Sequence, residues 1–266
     1  LNELAAAPLD SKGEWSEVGS PYVIFPSSPS LPTLIKSVLA RDPELDLLYR
    51  KNRWELCFLG LPVLWETSGG MLSFNHFDPR LLDPERLESF ERHLEEVKRF
   101  RCFPPIEPGH SFYTFGRERW FESLLIQRHR LLNPNLTDEI YCQVPTWVGG
   151  ERKVLDLLTV NREGRLVVLE LKPQKDLTLV FQGLEYWNRV AHHLKRQDFQ
   201  KAGYFKGHRL QDVSPLLYLV SPLIEFHRLL PVFRRHLDPA VNFECFGTNQ
   251  DWKSGLKLLR RFPLRS

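Results

Sequence analysis

The chain has 266 residues, 42% of them hydrophobic and 26% charged, and a formal net charge of +3. That balance is ordinary for a soluble globular protein with one sizeable core or two smaller ones. No apolar run reaches the roughly 18 residues that a membrane span needs. The start, Leu1-Asn-Glu-Leu-Ala, has no basic segment followed by an apolar core, so it does not read as a signal peptide, and it has no initiator Met. Cys57, Cys102, Cys142 and Cys245 lie far apart without a CxxC pair. This argues against a zinc module or a disulfide scaffold and for a reduced, cytoplasmic protein. The net charge hides an asymmetry. Residues 1–110 hold 12 Lys/Arg against 17 Asp/Glu, and residues 111–266 hold 24 against 16. A basic second part implies an acidic partner, nucleic acid being the commonest.

In chain order, the first 30 or so residues are rich in Pro, Ser and Ala and read as a loosely attached lead-in. A short helix is expected at Leu34–Leu39, another around Asp46–Lys51, and a strand at Trp54–Leu59. Val63–Glu66 and Met71–Asn75 form a hairpin around Ser68-Gly69-Gly70. Asp83-Pro84-Glu85 opens a helix in which Leu87, Phe90, Leu94 and Val97 recur at helical spacing. Cys102 to Gly109 is the clearest breaker run, and the domain boundary is placed there. Residues 1–108 become an accessory α+β domain and 109–266 a second domain. That domain opens with a helix at Arg117–Leu132, ended by Asn133-Pro134-Asn135, and a strand at Glu139–Trp147. A hairpin, a helix at Thr178–Leu194, a strand at Pro215–Ser221, a helix at Leu223–Leu237 and a strand at Val241–Gly247 follow. The pattern predicts an α/β core with a mixed sheet.

The hairpin is the informative part. Val154 to Val160 and Arg165 to Lys172 are apolar, β-branched runs separated by the turn residues Asn161–Gly164. By strand alternation Val154, Asp156, Leu158 and Val160 share one face, as do Leu166, Val168, Glu170 and Lys172. Two carboxylates and an ammonium therefore interrupt apolar faces. Burying such a charge alone costs several kcal/mol, so these groups need each other, a metal or another polar partner. Each admits a plain structural role taken singly. Asp156 could pair with an Arg, Glu170 and Lys172 could form a salt bridge, and Glu122 could be a solvated helix residue.

The wider order is Glu122 in a helix, Asp156 in a strand, Glu170-x-Lys172 in the next strand, then Gln182-x-x-x-Tyr186 in a helix. This order resembles the PD-(D/E)xK nuclease superfamily, and its Gln-x-x-x-Tyr element is similar to the RecB-type branch. The run LDLLTVNREGRLVVLELK followed by QGLEYW resembles the catalytic domain of NucS-type endonucleases, over roughly Arg117 to Leu194. The Pro-Asp dipeptide of the superfamily name is absent, Leu155 preceding Asp156. Glu118 is the competing acid on the first helix. Glu122 is preferred because it sits within the apolar Trp-Phe-x-x-Leu-Leu run.

The resemblance implies a restriction-endonuclease-like core, a mixed sheet flanked by helices, and a DNA phosphodiester hydrolase acting in repair or defence. It implies Mg²⁺ or Mn²⁺ held by Asp156, Glu170 and the Leu171 carbonyl, with Glu122 holding a metal-bound water or a second ion. Hard oxygen donors suit those cations. Lys172 would orient the attacking water or pair with the scissile phosphate. Gln182 and Tyr186 would brace the acids or contact the DNA backbone. Arg189, His192, His193, Lys195 and Arg196 follow on or beyond the same helix, and Lys253, Lys257, Arg260, Arg261 and Arg265 near the end, as candidate phosphate contacts. Trp187 and Trp252 could stack on unpaired bases, although core packing suits both better. Single-stranded, branched and duplex DNA stay open as substrates, and a homodimer is one way to cut both strands. The competing expectations are a non-catalytic nucleic-acid-binding protein of the same fold, and an adaptor whose hairpin charges are structural. No P-loop, dinucleotide fingerprint or HExxH motif is present.

Overall fold

The computed structural model describes residues 31–50, 53–235, 237–238 and 240–263. The lead-in expected over the first 30 residues lies outside them. The described chain divides into two compact units, one of residues 31–128 with 251–256 and one of 129–250 with 257–263. The division falls after Arg128, beyond the breaker run at 102–109, because the helix that follows that run packs with the first unit.

The first unit is an antiparallel meander with helices. Helix α1 (Thr33–Arg41) precedes β1 (Asp46–Arg50), β2 (Arg53–Phe58), β3 (Leu61–Glu66), β4 (Leu72–Phe74) and β5 (Arg80–Leu81), which neighbour one another in chain order. Then come α2 (Leu87–Phe100), α3 (Ser111–Thr114) and α4 (Arg117–Arg128). The side chain of Asp83 accepts from the Arg86 N–H at 3.0 Å, the cap that its position predicted. Phe90, Leu94 and Val97 are buried on one face of α2 and join a core with Ile35, Leu56, Val63 and Phe74. The helix expected around Asp46–Lys51 is instead strand β1. Its short Leu47-Leu48-Tyr49 run is compatible with either period, and pairing with β2 in the register Asp46↔Cys57 decides for strand.

Two close fits hold this unit's interior. Gly60, at φ +79°, stands where a Cβ would lie 2.2 Å from the Arg119 carbonyl oxygen, so only glycine lets the β2–β3 turn rest on the α4 backbone. Arg101 is fully buried, with its guanidinium donating to the carbonyls of Leu59, Phe112 and Phe115. The same group lies 4.5 Å from the Trp120 ring centroid. Burial pushes its pKa down to about 9. Trp252, from the returning 251–256 segment, packs edge-on against Trp120 and Phe121, and Lys253 sits 3.6 Å over Tyr113.

The second unit is a six-stranded mixed sheet. It comprises β6 (Leu136–Val148), β7 (Glu151–Asn161), β8 (Leu166–Leu171), α5 (Thr178–Lys195), α6 (Asp198–Lys201), β9 (Leu216–Pro222), α7 (Leu230–Arg235), β10 (Asn242–Thr248) and β11 (Leu258–Pro263). The strand order is β11-β10-β9-β8-β7-β6. Pairs β8–β9 and β9–β10 are parallel and the others antiparallel, so the α/β mixed-sheet expectation is met. The helix expected over Leu223–Leu237 is only a 3-10 turn at Leu223–Glu225 and the short α7. Pro231 cannot sit inside a helix arriving from Leu223, but it fits the first turn of one starting at Leu230. The basic end of the chain contributes strand β11, whose Arg261 pairs with Glu244 of β10. All four cysteines are free thiols, and among the described residues no helix is long and apolar enough to cross a membrane.

Candidate active site

The hairpin folds as its sequence dictates. Asn161 and Arg165 close the turn through the Asn161 N–H to the Arg165 carbonyl and the Arg165 N–H to the Asn161 side chain, at 3.0 and 2.8 Å. Gly164 has φ +87°, and a Cβ there would stand 2.1 Å from the Arg209 carbonyl oxygen. Register is thereby fixed, with Leu158 opposite Val168 and Leu157 opposite Leu169. One step further along both strands stand Asp156 and Glu170, on the face shared with Leu158 and Val168. Glu170 is buried at 1% exposure and Asp156 is half-buried. The Leu171 N–H donates to Asp156 Oδ2 at 3.3 Å. The N–H and C=O of one strand residue point to the same side, so the Leu171 carbonyl also faces the β7 flank. Lys172 continues the strand, its N–H donating to the Val220 carbonyl at 3.0 Å. The Lys172 charge reinforces the Thr178 hydrogen bonds that hold the Asp176 carboxyl below its ordinary pKa.

Helix α5 covers this face. Val168 and Glu170 pair in parallel register with Leu217 and Leu219 of β9, and a Cβ on Gly183 would meet the Leu219 and Leu217 methyls at 2.7 and 3.2 Å. A missing side chain in mid-helix therefore lets α5 settle onto the sheet. Tyr186 lies one turn further along. Its phenol is pushed above its ordinary pKa by burial first, then by the negative charges of Glu170, Asp156 and Glu185. Asp156 and Glu170 thus lie within electrostatic reach of Tyr186. Gln182 Oε1 accepts from the Thr178 hydroxyl at 3.2 Å, in the first turn of α5.

The basic residues divide. Arg189 is buried and donates to the Glu151 carbonyl at 3.0 Å, with ion pairs to Glu151 and Glu185 at 2.7 and 3.0 Å. His193 is also buried, its Nε2 accepting from the Trp147 N–H at 3.2 Å while Nδ1 lies 2.8 Å from Asp198 Oδ2. Nε2 is thus the acceptor and Nδ1 carries the proton, an assignment that follows from these bonds. Both residues pin α5 to the β6–β7 hairpin, so neither presents itself to a phosphate. Lys195 and Arg196 are exposed, Arg196 lying 3.1 Å from Asp198. Trp187 donates to the Pro215 carbonyl at 2.8 Å and Trp252 is buried at 2% exposure, so both serve packing.

Glu122 is buried at 3% exposure in α4, which belongs to the first unit. Among the described residues, no three His, Cys, Asp or Glu side chains come together as a metal-binding group. Within the second unit the structure brings Asp156, Glu170, Leu171 and Tyr186 to one region of the sheet. Sequence reasoning missed the seat at Gly183 and the structural duty of His193. A glycine inside a helical pattern, as in Gln182-Gly183-Leu184, is the signal that could have found the first.

A scan against protein-family models finds no match, and a search of curated proteins finds none. Among solved structures the chain is similar to the crystal structure of a repair endonuclease from Pyrococcus abyssi, at 16% sequence identity and a TM-score of 0.30, over 67% of this chain and 68% of that one. So distant a likeness decides nothing about fold or chemistry, which rest here on the residues themselves.

Proposed function

We propose that the second unit is a metal-dependent nuclease that hydrolyses DNA phosphodiester bonds, with the first unit holding substrate or a partner. The observation that carries this reading is the convergence of Asp156 and Glu170 on one covered sheet face. Carboxylates brought together on a covered face are the oxygen donors that a hard divalent cation takes. The donor set fits Mg²⁺ or Mn²⁺: two carboxylates, with the Leu171 carbonyl on the same flank, are hard oxygen ligands. Mg²⁺ in particular binds through one or two carboxylates and keeps several waters. Asp156 and Glu170 suit a protein-held ion whose shell is completed by water and the substrate phosphate, with Glu122 the candidate for a metal-bound water or a second ion.

Asp156 and Glu170 would hold the cation, with the Leu171 N–H, which donates to Asp156 Oδ2, fixing that carboxylate. When bound, such an ion would supply Lewis acidity and lower the pKa of a water at the site. Lys172 holds the scissile phosphate or orients the attacking water. Tyr186, with its raised pKa, stays protonated at neutral pH and acts as a hydrogen-bond donor rather than a base. Gln182 contacts the DNA backbone from the start of α5, and the exposed Lys195 and Arg196 add salt-dependent phosphate attraction.

Cleavage of labelled single-stranded, duplex and forked DNA with Mg²⁺ or Mn²⁺, run beside Asp156→Asn, tests this. Metal-dependent cutting that vanishes in the variant is expected. DNA binding without any cutting would replace it with the non-catalytic binding reading.

A further inference from the structure

Strand β6 carries a backbone distortion beside the candidate site. Among the described residues, the non-glycine positions with left-handed φ are Leu59, Asn75, Gln143, Gln197 and Phe205. Four of them lie in turns or at element ends, and Gln143, at φ +54°, alone lies inside a strand. It does not absorb a register slip, because pairing continues on both sides of it, Cys142↔Leu157 and Val144↔Leu155. That register places Gln143 opposite Asp156. Glycine would take this φ without steric penalty, and bulky side chains resist it. Strain of this kind persists where the surroundings over-determine it, often at functional sites. Here a half-buried glutamine holds it next to the two acids.

We propose that Gln143 is a positioning residue of the phosphodiester site, held in a strained conformation so that its carboxamide orients the Asp156 carboxylate. The inference rests on the nuclease reading above. A carboxamide is chemically apt there. It donates N–H groups to a carboxylate, yet adds neither a third negative charge to the pair nor a cation that would compete with a metal.

Two variants test it, Gln143→Gly and Gln143→Met, each measured for thermal midpoint over a Mg²⁺ titration and for DNA cleavage. Gln143→Gly loses the amide but relieves the strain, so its midpoint without metal should lie about 2–4 °C above that of Gln143→Met. It should also need roughly tenfold or more additional Mg²⁺ for half of the metal-induced shift, and cut correspondingly more slowly. Gln143→Met keeps the bulk and the strain but loses the amide. It should not raise the metal-free midpoint, and it should show the same higher Mg²⁺ requirement. A wild-type Mg²⁺ requirement and cutting rate in either folded variant overturns the positioning role and leaves the nuclease reading intact. A wild-type protein that neither shifts with Mg²⁺ nor cuts DNA overturns both.

Discussion

Arg101 in the first unit and the Asp156–Glu170 pair in the second are both charges taken out of water, and they are handled in opposite ways. Arg101 is ringed by complementary dipoles, three backbone carbonyls and the face of Trp120. Those contacts work against a burial that by itself disfavours the charged form, and they serve the fold alone. Asp156 and Glu170 are instead like charges brought to one face by register and covered by α5. Under the proposed reading that pair is kept for a cation rather than for packing.

The sharpest break of this contrast is chemical. Glu170→Gln should remove metal-dependent cleavage while leaving the thermal midpoint of the metal-free protein unchanged or raised, since one of two like charges is gone. A large drop in that midpoint would place Glu170 with Arg101 as a structural group. Next in size, Arg101→Met leaves buried carbonyls without their donor and should lower the unfolding free energy by about 3 kcal/mol, read by denaturant titration. Gly183→Ala should cost about 1 kcal/mol, because the Leu219 methyl it meets at 2.7 Å can swing aside. It should slow cleavage more than that cost implies if the seat of α5 sets Tyr186 over the acids.

The smallest effect is on pH. Burial holds His193 below its ordinary pKa, against the Asp198 hydrogen bond that raises it, and the nearby His192 and Arg196 charges lower it further. A depressed pKa means the unfolded chain binds the proton more readily. The stability His193 contributes is then complete above about pH 6.5, its unfolded value, and is lost as pH falls through the folded value. The thermal midpoint should therefore fall between pH 7.5 and 5, and His193→Gln should flatten that fall. An unchanged profile in the variant would separate His193 from the clamp on α5.

Much of this was legible in the residues. The Asn161–Gly164 turn signal with its flanking β-branched runs set the hairpin register, and register alone put Asp156 across from Glu170. The Asp83-Pro84-Glu85 helix start and the Ser68–Gly70 hairpin were legible for the same reason, being local chemistry. What escaped was set by distant partners. Leu47 and Leu48 become strand only because β2 lies beside them. Arg189 and His193 look like a basic helix face until Glu151 and Asp198 are seen to bury them. The left-handed backbone at Gln143 leaves no trace in composition, because glutamine is not a residue that advertises a turn.

The most direct test of the contrast between the two buried charge sites is a Mn²⁺ titration of the wild type, Asp156→Asn and Glu170→Gln, followed by electron paramagnetic resonance of the free ion. One ion bound per wild-type chain is expected, with a large loss of affinity in each variant. Binding that survives both substitutions, or a wild type that binds no ion, would contradict this.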